Sequence, residues 1–261
     1  MIIEADRITA GYGSVPVLEN LSFSAHKGEF VAILGPNGSG KSTLLRALAG
    51  LLPARSGQIL LNGESIRRLP PAKRAKLLAY LPQDPVIPAR ITVEELVRLG
   101  RFPHGHPFSA LSRADREAAD AALVRTGMAP FRKRLLGSLS GGECRRARIA
   151  MTLAQEPQFL LLDEPAAFLD PAVSLEISNL LRDLVNRNGL TLIVVLHDFN
   201  LAARFASRLV FLRHGQILKD GTPRETITPE TFRDVFDLDV AIFQAPDGSP
   251  FCIPQGKSQV R

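Results

Sequence analysis

The 261-residue sequence has no tryptophan, two tyrosines, three methionines and two cysteines. Cys144 and Cys252 lie far apart with no metal-ligand spacing, which argues against a disulfide framework or a zinc site and leaves reduced thiols as the plain reading. No apolar run approaches the roughly 20 residues that a membrane-spanning helix needs. Met1-Ile2-Ile3-Glu4-Ala5-Asp6 has neither the basic start nor the apolar core of a secretory leader, so a cytoplasmic location is expected. There is no internal repeat, low-complexity tract or long heptad run. His104 and His106 offer two ligands around a glycine in a Pro-bounded turn, too few for a metal site.

What is present is an ordinary globular composition, 45% apolar and 22% charged, enough for one large domain or one domain with a sizeable insertion. The formal charge of +6 raises nucleic acid or an anionic surface as partners. The basic residues are scattered, however, apart from Arg67-Arg68, Arg132-Lys133-Arg134 and Arg145-Arg146. That favours a solvated basic surface, and no nucleic-acid partner is expected.

The most informative stretch is Gly35-Pro36-Asn37-Gly38-Ser39-Gly40-Lys41-Ser42-Thr43, which fits a phosphate-binding loop. Glycines let the backbone turn several N–H groups toward one anion. Lys41 can reach the terminal phosphates, and the Ser42 hydroxyl can ligate Mg²⁺. The apolar run 30–34 before the loop reads as a buried strand, and 44–49 after it as a helix whose N-terminus faces the phosphate. A bound nucleoside triphosphate follows.

Residues 2–10 and 15–25 read as strands around a turn at Gly11-Tyr12-Gly13. Tyr12 is a candidate platform for an adenine ring, ahead of core packing. Residues 57–63 read as a strand ending in an Asn-Gly turn, and a basic segment over 72–76 leads into an apolar strand with Gln83 at its end. There a polar side chain can touch metal or attacking water. From Thr92 the texture becomes helical: Thr92-Val93-Glu94-Glu95 reads as a capping box, and Ser112 opens a second helix to about Thr126.

Residues 159–164 form a buried strand that ends in two carboxylates, where parallel sheets bind ligands. A helix follows from Pro171 to Asn188-Gly189, then a strand over 191–196 ending in His197. Later signals are a turn at His214-Gly215, a helix from Thr228-Pro229 and a hairpin around Asp247-Gly248. The expected fold is α/β, with strands and helices alternating through parallel crossovers and a mainly helical insertion over 84–158. The ranges 1–83 and 159–221 make the nucleotide-binding core, 222–254 a C-terminal extension of one domain over 1–254, and 255–261 a frayed tail.

Hydrolysis of a nucleotide needs charge neutralisation, metal and an oriented water. Asp163 is the candidate to hold Mg²⁺ opposite Ser42, and Glu164 to orient or deprotonate the water. His197 is the candidate to contact the γ-phosphate. Leu139-Ser140-Gly141-Gly142-Glu143 opens a further helix and reads as a second anion site. Two such sites in one chain are most simply reconciled by head-to-tail pairing of two chains.

In order and spacing these segments resemble the ATPase subunits of ATP-binding-cassette (ABC) transporters, over about residues 2–240. Residues 35–43 are similar to the Walker A motif, Gln83 to the Q-loop and 139–143 to the signature. Leu162-Asp163-Glu164 is similar to Walker B, Leu169-Asp170 to the D-loop, His197 to the switch histidine and Tyr12 to the A-loop aromatic. The resemblance implies a P-loop core with an antiparallel β subdomain and an inserted helical subdomain, and ATP with Mg²⁺ held by Ser42, Gln83 and Asp163. It also implies a homodimer in which Ser140, Gly141 and Gly142 meet the partner's nucleotide and Asp170 couples the two sites. Two departures stand out: Ala166 where the family often has threonine, and Arg145-Arg146 where it commonly has Gln-Arg.

Residues 95–104 (Glu95 to His104) are similar to a segment of importer ATPases for ferric siderophores, haem and cobalamin. That implies an importer ATPase at the cytoplasmic face of the inner membrane. Two permease subunits would dock near Gln83 and the helical insertion, and an extracytoplasmic binding protein would deliver the substrate. The alternatives are a soluble ABC-type ATPase acting on nucleic acid or the ribosome, and an efflux ATPase.

Overall fold

The structure, a computed structural model, describes residues 1–83, 89–105 and 110–258. Asp84, Pro85, His106, Pro107 and residues 259–261, on which parts of the sequence reading fall, lie outside the described residues.

The chain opens with an antiparallel hairpin of β1 (Ile2–Tyr12) and β2 (Val15–His26). Its turn is at Gly13 and Ser14, later than expected. Gly11 stays in the ladder opposite Pro16, where a Cβ would come within 2.2 Å of the Val15 carbonyl oxygen. β3 (Phe30–Leu34) is buried throughout and leads through the glycine-rich loop into α1 (Lys41–Leu48). β4 (Ser56–Leu61), the Asn62-Gly63 turn, β5 (Glu64–Ser65), α2 (Pro71–Leu77) and β6 (Leu78–Leu81) follow.

The helical part carries α3 (Val93–Leu99), α4 (Arg113–Arg125) and α5 (Gly141–Ala154). Each begins with a capping box, Thr92 with Glu95, Ser112 with Asp115 and Ser140 with Glu143. In each box a hydroxyl and a carboxylate satisfy N–H groups that the helix itself leaves unpaired. The chain then returns through β7 (Phe159–Asp163), α6 (Pro171–Asn188), β8 (Thr191–Val195), α7 (Phe199–Phe205), β9 (Arg208–Arg213) and β10 (Gln216–Gly221). It closes with α8 (Pro223–Thr226), α9 (Pro229–Phe236) and the hairpin β11 (Leu238–Gln244) and β12 (Pro250–Lys257).

Among the described residues the central sheet has the order β10-β9-β3-β8-β7-β6. The pairs β9/β3, β3/β8, β8/β7 and β7/β6 are parallel, and only β10 runs antiparallel. A second, antiparallel sheet has the order β2-β1-β4-β5. Successive side chains of a strand point to opposite faces, so the buried strands feed two cores. Val31, Ile33, Leu161, Ile193 and Val195 pack with α1 and the antiparallel sheet. Phe30, Ala32, Leu160, Leu162, Leu192 and Val194 pack with the helical part, α6, α7 and α9. These are the α/β core, antiparallel sheet and helical insertion expected from sequence.

Residues 95–104 tie the helical part together. A Cβ on Gly100 would come within 2.1 Å of the Met151 carbonyl oxygen, so glycine is what lets the end of α3 touch α5. Arg101 is buried; its Nε donates to Asp115 Oδ1 at 3.0 Å and its Nη1 to Ala154 O and Glu156 Oε2, both at 2.6 Å. His104 Nε2 lies 2.9 Å from the Gln155 carbonyl oxygen, a backbone anchor. Among the described residues no group of three or more His, Cys, Asp or Glu side chains is placed to hold a metal ion.

Two features set the C-terminal part. Phe199 and Phe211 each pack edge to face on Phe232 and Phe236, and Asn200 exchanges two hydrogen bonds with the Cys252 backbone. Both hold α7, the helix just after His197. Residues 255–257, expected to fray, instead continue β12, because Asp239 and Leu238 supply backbone partners to Gly256 and Lys257.

Candidate active site

The loop between β3 and α1 is shaped by its glycines. Gly35, Gly38 and Gly40 have φ of 154°, 78° and 104°, and a Cβ on Gly35 would sit 2.1 Å from the Leu212 carbonyl oxygen. Gly40 is the N-cap of α1 and gives it no side-chain cap, and the first turn holds no acid. The N–H groups and positive dipole end of this helix therefore face outward uncapped, which suits an anion. Lys41 donates from Nζ to the carbonyl oxygens of Gly35 at 2.8 Å and Pro36 at 2.9 Å. Burial pushes its ammonium below the ordinary lysine range, against the pull of Glu164 and Asp163. Ser39 Oγ is buried, and among the described residues it has no hydrogen-bond partner.

A cavity of about 990 Å³ opens over this loop. Asn37, Gly38, Gly40, Lys41, Ser42 and Thr43 line one side, and Gln83, Glu164 and His197 line the other. Its volume matches the upper range of small-molecule sites. The carboxylates arrive at the end of β7, between β6 and β8, so neighbouring strand ends bring Gln83 and His197 to them.

Ser42 Oγ donates to Asp163 Oδ1 at 3.0 Å, and the Tyr80 hydroxyl donates to Asp163 Oδ2 at 3.4 Å. Burial pushes the Asp163 carboxyl above its ordinary range; the Ser42 hydrogen bond opposes this and the Glu164 charge reinforces it. Glu164, at φ 50°, accepts from Gln83 Nε2 at Oε2 and from His197 Nε2 at Oε1, each at 2.6 Å. The arrangement offers a cation and helix terminus for phosphate, paired hard oxygen donors, and a carboxylate held at both oxygens.

Other expected residues sit outside this cluster. Tyr12 is 47% exposed at the end of β1, and its hydroxyl accepts from Arg46 Nη1 at 2.9 Å, so it is not a core residue. Asp170 caps α6, its Oδ1 accepting from Val173 N at 3.0 Å. Among the described residues the cavity lining does not include Ser140, Gly141 or Gly142. These begin α5 against α6, with Gly142 so close that a Cβ would lie 2.5 Å from Val173 Cγ1. The N-terminus of α5 is also less open than expected, since Ser140 N donates to Glu143 Oε2 and Glu143 N to Ser140 Oγ. The box accounts for those two N–H groups and not for Gly141 and Gly142.

Sequence reasoning missed Tyr80, whose hydroxyl meets Asp163 through the β6/β7 pairing, and Arg145, whose Nη1 donates to the Gln83 carbonyl oxygen at 2.9 Å. It also missed Phe168, which is 95% exposed with φ 61° beside the cavity.

The ABC transporter family profile matches residues 18–167, from within β2 past the carboxylate pair. The chain belongs to the ABC transporter family. It is an ATPase of that family, with the family's ATP-binding fold. This ABC ATPase is 42% identical over 258 residues to a probable siderophore transport system ATP-binding protein of Bacillus subtilis, covering 98% of this chain and 94% of that one. It is 40% identical over 257 residues to the ferric enterobactin transport ATP-binding protein of Escherichia coli, covering 98% and 95%. Among solved structures it resembles a transporter assigned to the metal-chelate type in an inward-facing conformation (27% identity, TM-score 0.84, 97% of each chain). It also resembles the dimeric post-hydrolysis ATP-binding cassette MJ0796 bound to ADP and Pi (28% identity, TM-score 0.73, 84% of this chain and 98% of that one).

Proposed function

We propose that this ABC ATPase drives uptake of a metal chelate, a ferric siderophore above haem or cobalamin, through a partner permease. The observation that carries this reading is its likeness, over nearly its whole length, to ATPases named for siderophore and enterobactin transport. Among the described residues no helix is long and apolar enough to cross a membrane. In this reading the pathway belongs to partner subunits. Two permease chains would dock near Gln83 and the helical insertion. The site of action is the cytoplasmic face of the inner membrane, with an extracytoplasmic binding protein presenting the chelate.

ATP would lie with its phosphates on the α1 N-terminus and Lys41, its adenine on Tyr12. Ser42 and Asp163 present hard oxygens 3.0 Å apart, a donor set that fits Mg²⁺ completed by phosphate oxygens and, through Gln83, a further ligand. The ion would neutralise charge on the phosphates. Glu164 would orient or deprotonate the attacking water. Each of its oxygens accepts one hydrogen bond and keeps a second lone pair open to a water, which would have more room once a partner turns away. His197 is the partner suited to leave, because it is half exposed and can turn to the γ-phosphate. Ser140, Gly141 and Gly142 of a second copy would close the site from above, with Asp170 at the seam. This accounts for their distance from the cavity of their own chain. ATP binding would close the pair and hydrolysis reopen it.

The test is reconstitution of the chain with its co-purifying permease in proteoliposomes, each chelate being supplied on its binding protein. Ferric siderophore is expected to raise ATP turnover. Indifference to all three chelates, with salt-sensitive stimulation by nucleic acid, would overturn the reading in favour of a soluble ATPase acting on nucleic acid.

A further inference from the structure

We infer that Arg145 is a positioning residue for hydrolysis, acting through Gln83; this rests on the reading of Glu164 as the group that handles the attacking water. The observation is a continuous run of hydrogen bonds between segments distant in sequence. Arg145 is buried on α5, 7% exposed, and its Nη1 donates to the Gln83 carbonyl oxygen at 2.9 Å. Gln83 Nε2 donates to Glu164 Oε2 at 2.6 Å, and Glu164 Oε1 lies 2.6 Å from His197 Nε2. A buried guanidinium presents a rigid, planar fork of donors, so it fixes the backbone it holds more firmly than a flexible neutral side chain would. It fixes the Gln83 peptide, and with it the direction in which the Gln83 amide points.

The N-cap of the same helix is Ser140, five residues earlier and about 7.5 Å along its axis. A rigid α5 thus carries both the serine that would meet the partner's nucleotide and the arginine that sets Gln83 against Glu164. Movement of α5 toward a second copy shifts the Gln83 carbonyl in the same step. At this position the family commonly has glutamine, whose shorter neutral side chain lacks the fork.

The experiment is steady-state ATP hydrolysis by the full chain with Mg²⁺, using Arg145→Met, Arg145→Lys, Gln83→Ala and the double variant Arg145→Met/Gln83→Ala. Arg145→Met is expected to lower kcat about tenfold, the worth of one hydrogen bond from a charged donor. KM for ATP should stay within about twofold, because ground-state binding is untouched. Arg145→Lys, which keeps the charge and a donor but not the planar fork, should recover part of the rate. The double variant should match Gln83→Ala alone, because the Gln83 carbonyl that Arg145 holds then carries no amide to direct at Glu164. A further loss in the Gln83→Ala background, an unchanged kcat for Arg145→Met, or a parental rate for Gln83→Ala would overturn the proposal. If Arg145→Met does not fold, Arg145→Gln replaces it in the same cycle. Hydrolysis by Glu164→Gln at the parental rate would instead sink the reading of Glu164 itself, whatever the Arg145 variants do.

Discussion

The Ser42 hydroxyl donates to Asp163 Oδ1 across 3.0 Å, joining the first turn of α1 to the end of β7. The Asp163 carboxyl is buried and its pKa is raised above the ordinary range. A group whose folded pKa lies above its unfolded one stabilises the fold below the unfolded pKa, and this is lost as pH rises through the folded pKa. At neutral pH the ionised carboxylate is therefore a cost to the nucleotide-free fold. Asp163→Asn should raise the thermal midpoint at pH 7, and the gap to the parent should shrink in the acid range. The same variant should lose hydrolysis. A lower midpoint at pH 7 would show that the carboxylate is stabilising there.

Glu164→Gln keeps shape and size and removes the charge. ATP turnover should fall by about 10²–10⁴, the usual worth of a positioned acid–base group, while ATP binding persists. In size-exclusion chromatography with ATP the variant should run as a trapped dimer. Turnover at the parental rate would remove Glu164 from its role.

Arg101 joins the end of α3, the start of α4 and the end of α5 with its side chain only 5% exposed. Arg101→Ala leaves Asp115 without its buried cation, and urea unfolding should show a loss of about 3–5 kcal/mol. A loss under about 1 kcal/mol, the level of an exposed pair, would show that water reaches the site.

Gly142 meets α6 with no room for a methyl group, since its Cβ would lie 2.5 Å from Val173 Cγ1. Gly142→Ala should cost about 1–3 kcal/mol by overpacking. Adding Val173→Ala should restore part of that loss, because the pair is in direct contact. Additive losses in the two variants would place the helices further apart than the structure has them.

Much of this was readable from local signals. The phosphate loop, the buried runs of β3, β7 and β8, and the caps at Thr92 and Ser112 each depend on residues within a few positions. The Tyr80 contact with Asp163 was not readable, because the pairing of β6 with β7 joins strands separated by the whole helical part, nor was Arg145 with Gln83, which depends on how α5 packs beside the end of β6. The Gly11-Tyr12-Gly13 turn failed for a different reason. Glycine there signals close backbone approach in a ladder as well as a turn, and the former holds at Gly11. At the α5 N-terminus, Glu143 is visible in the sequence, but its reach back to the Ser140 N–H is set by a side-chain conformation that the sequence does not show.

The central claim is that the site over Lys41 and Glu164 is completed by Ser140 of a second copy, and mixing two inactive chains tests it directly. Lys41→Ala disables a chain's own phosphate loop, and Ser140→Arg blocks what it offers its partner. Each alone should be nearly inactive. Mixed in equal amounts, half of the randomly paired dimers hold one intact site of two, so activity should return to about a quarter of the parental rate. A mixture no faster than the sum of its two components, or full activity in Ser140→Arg alone, would contradict the shared site.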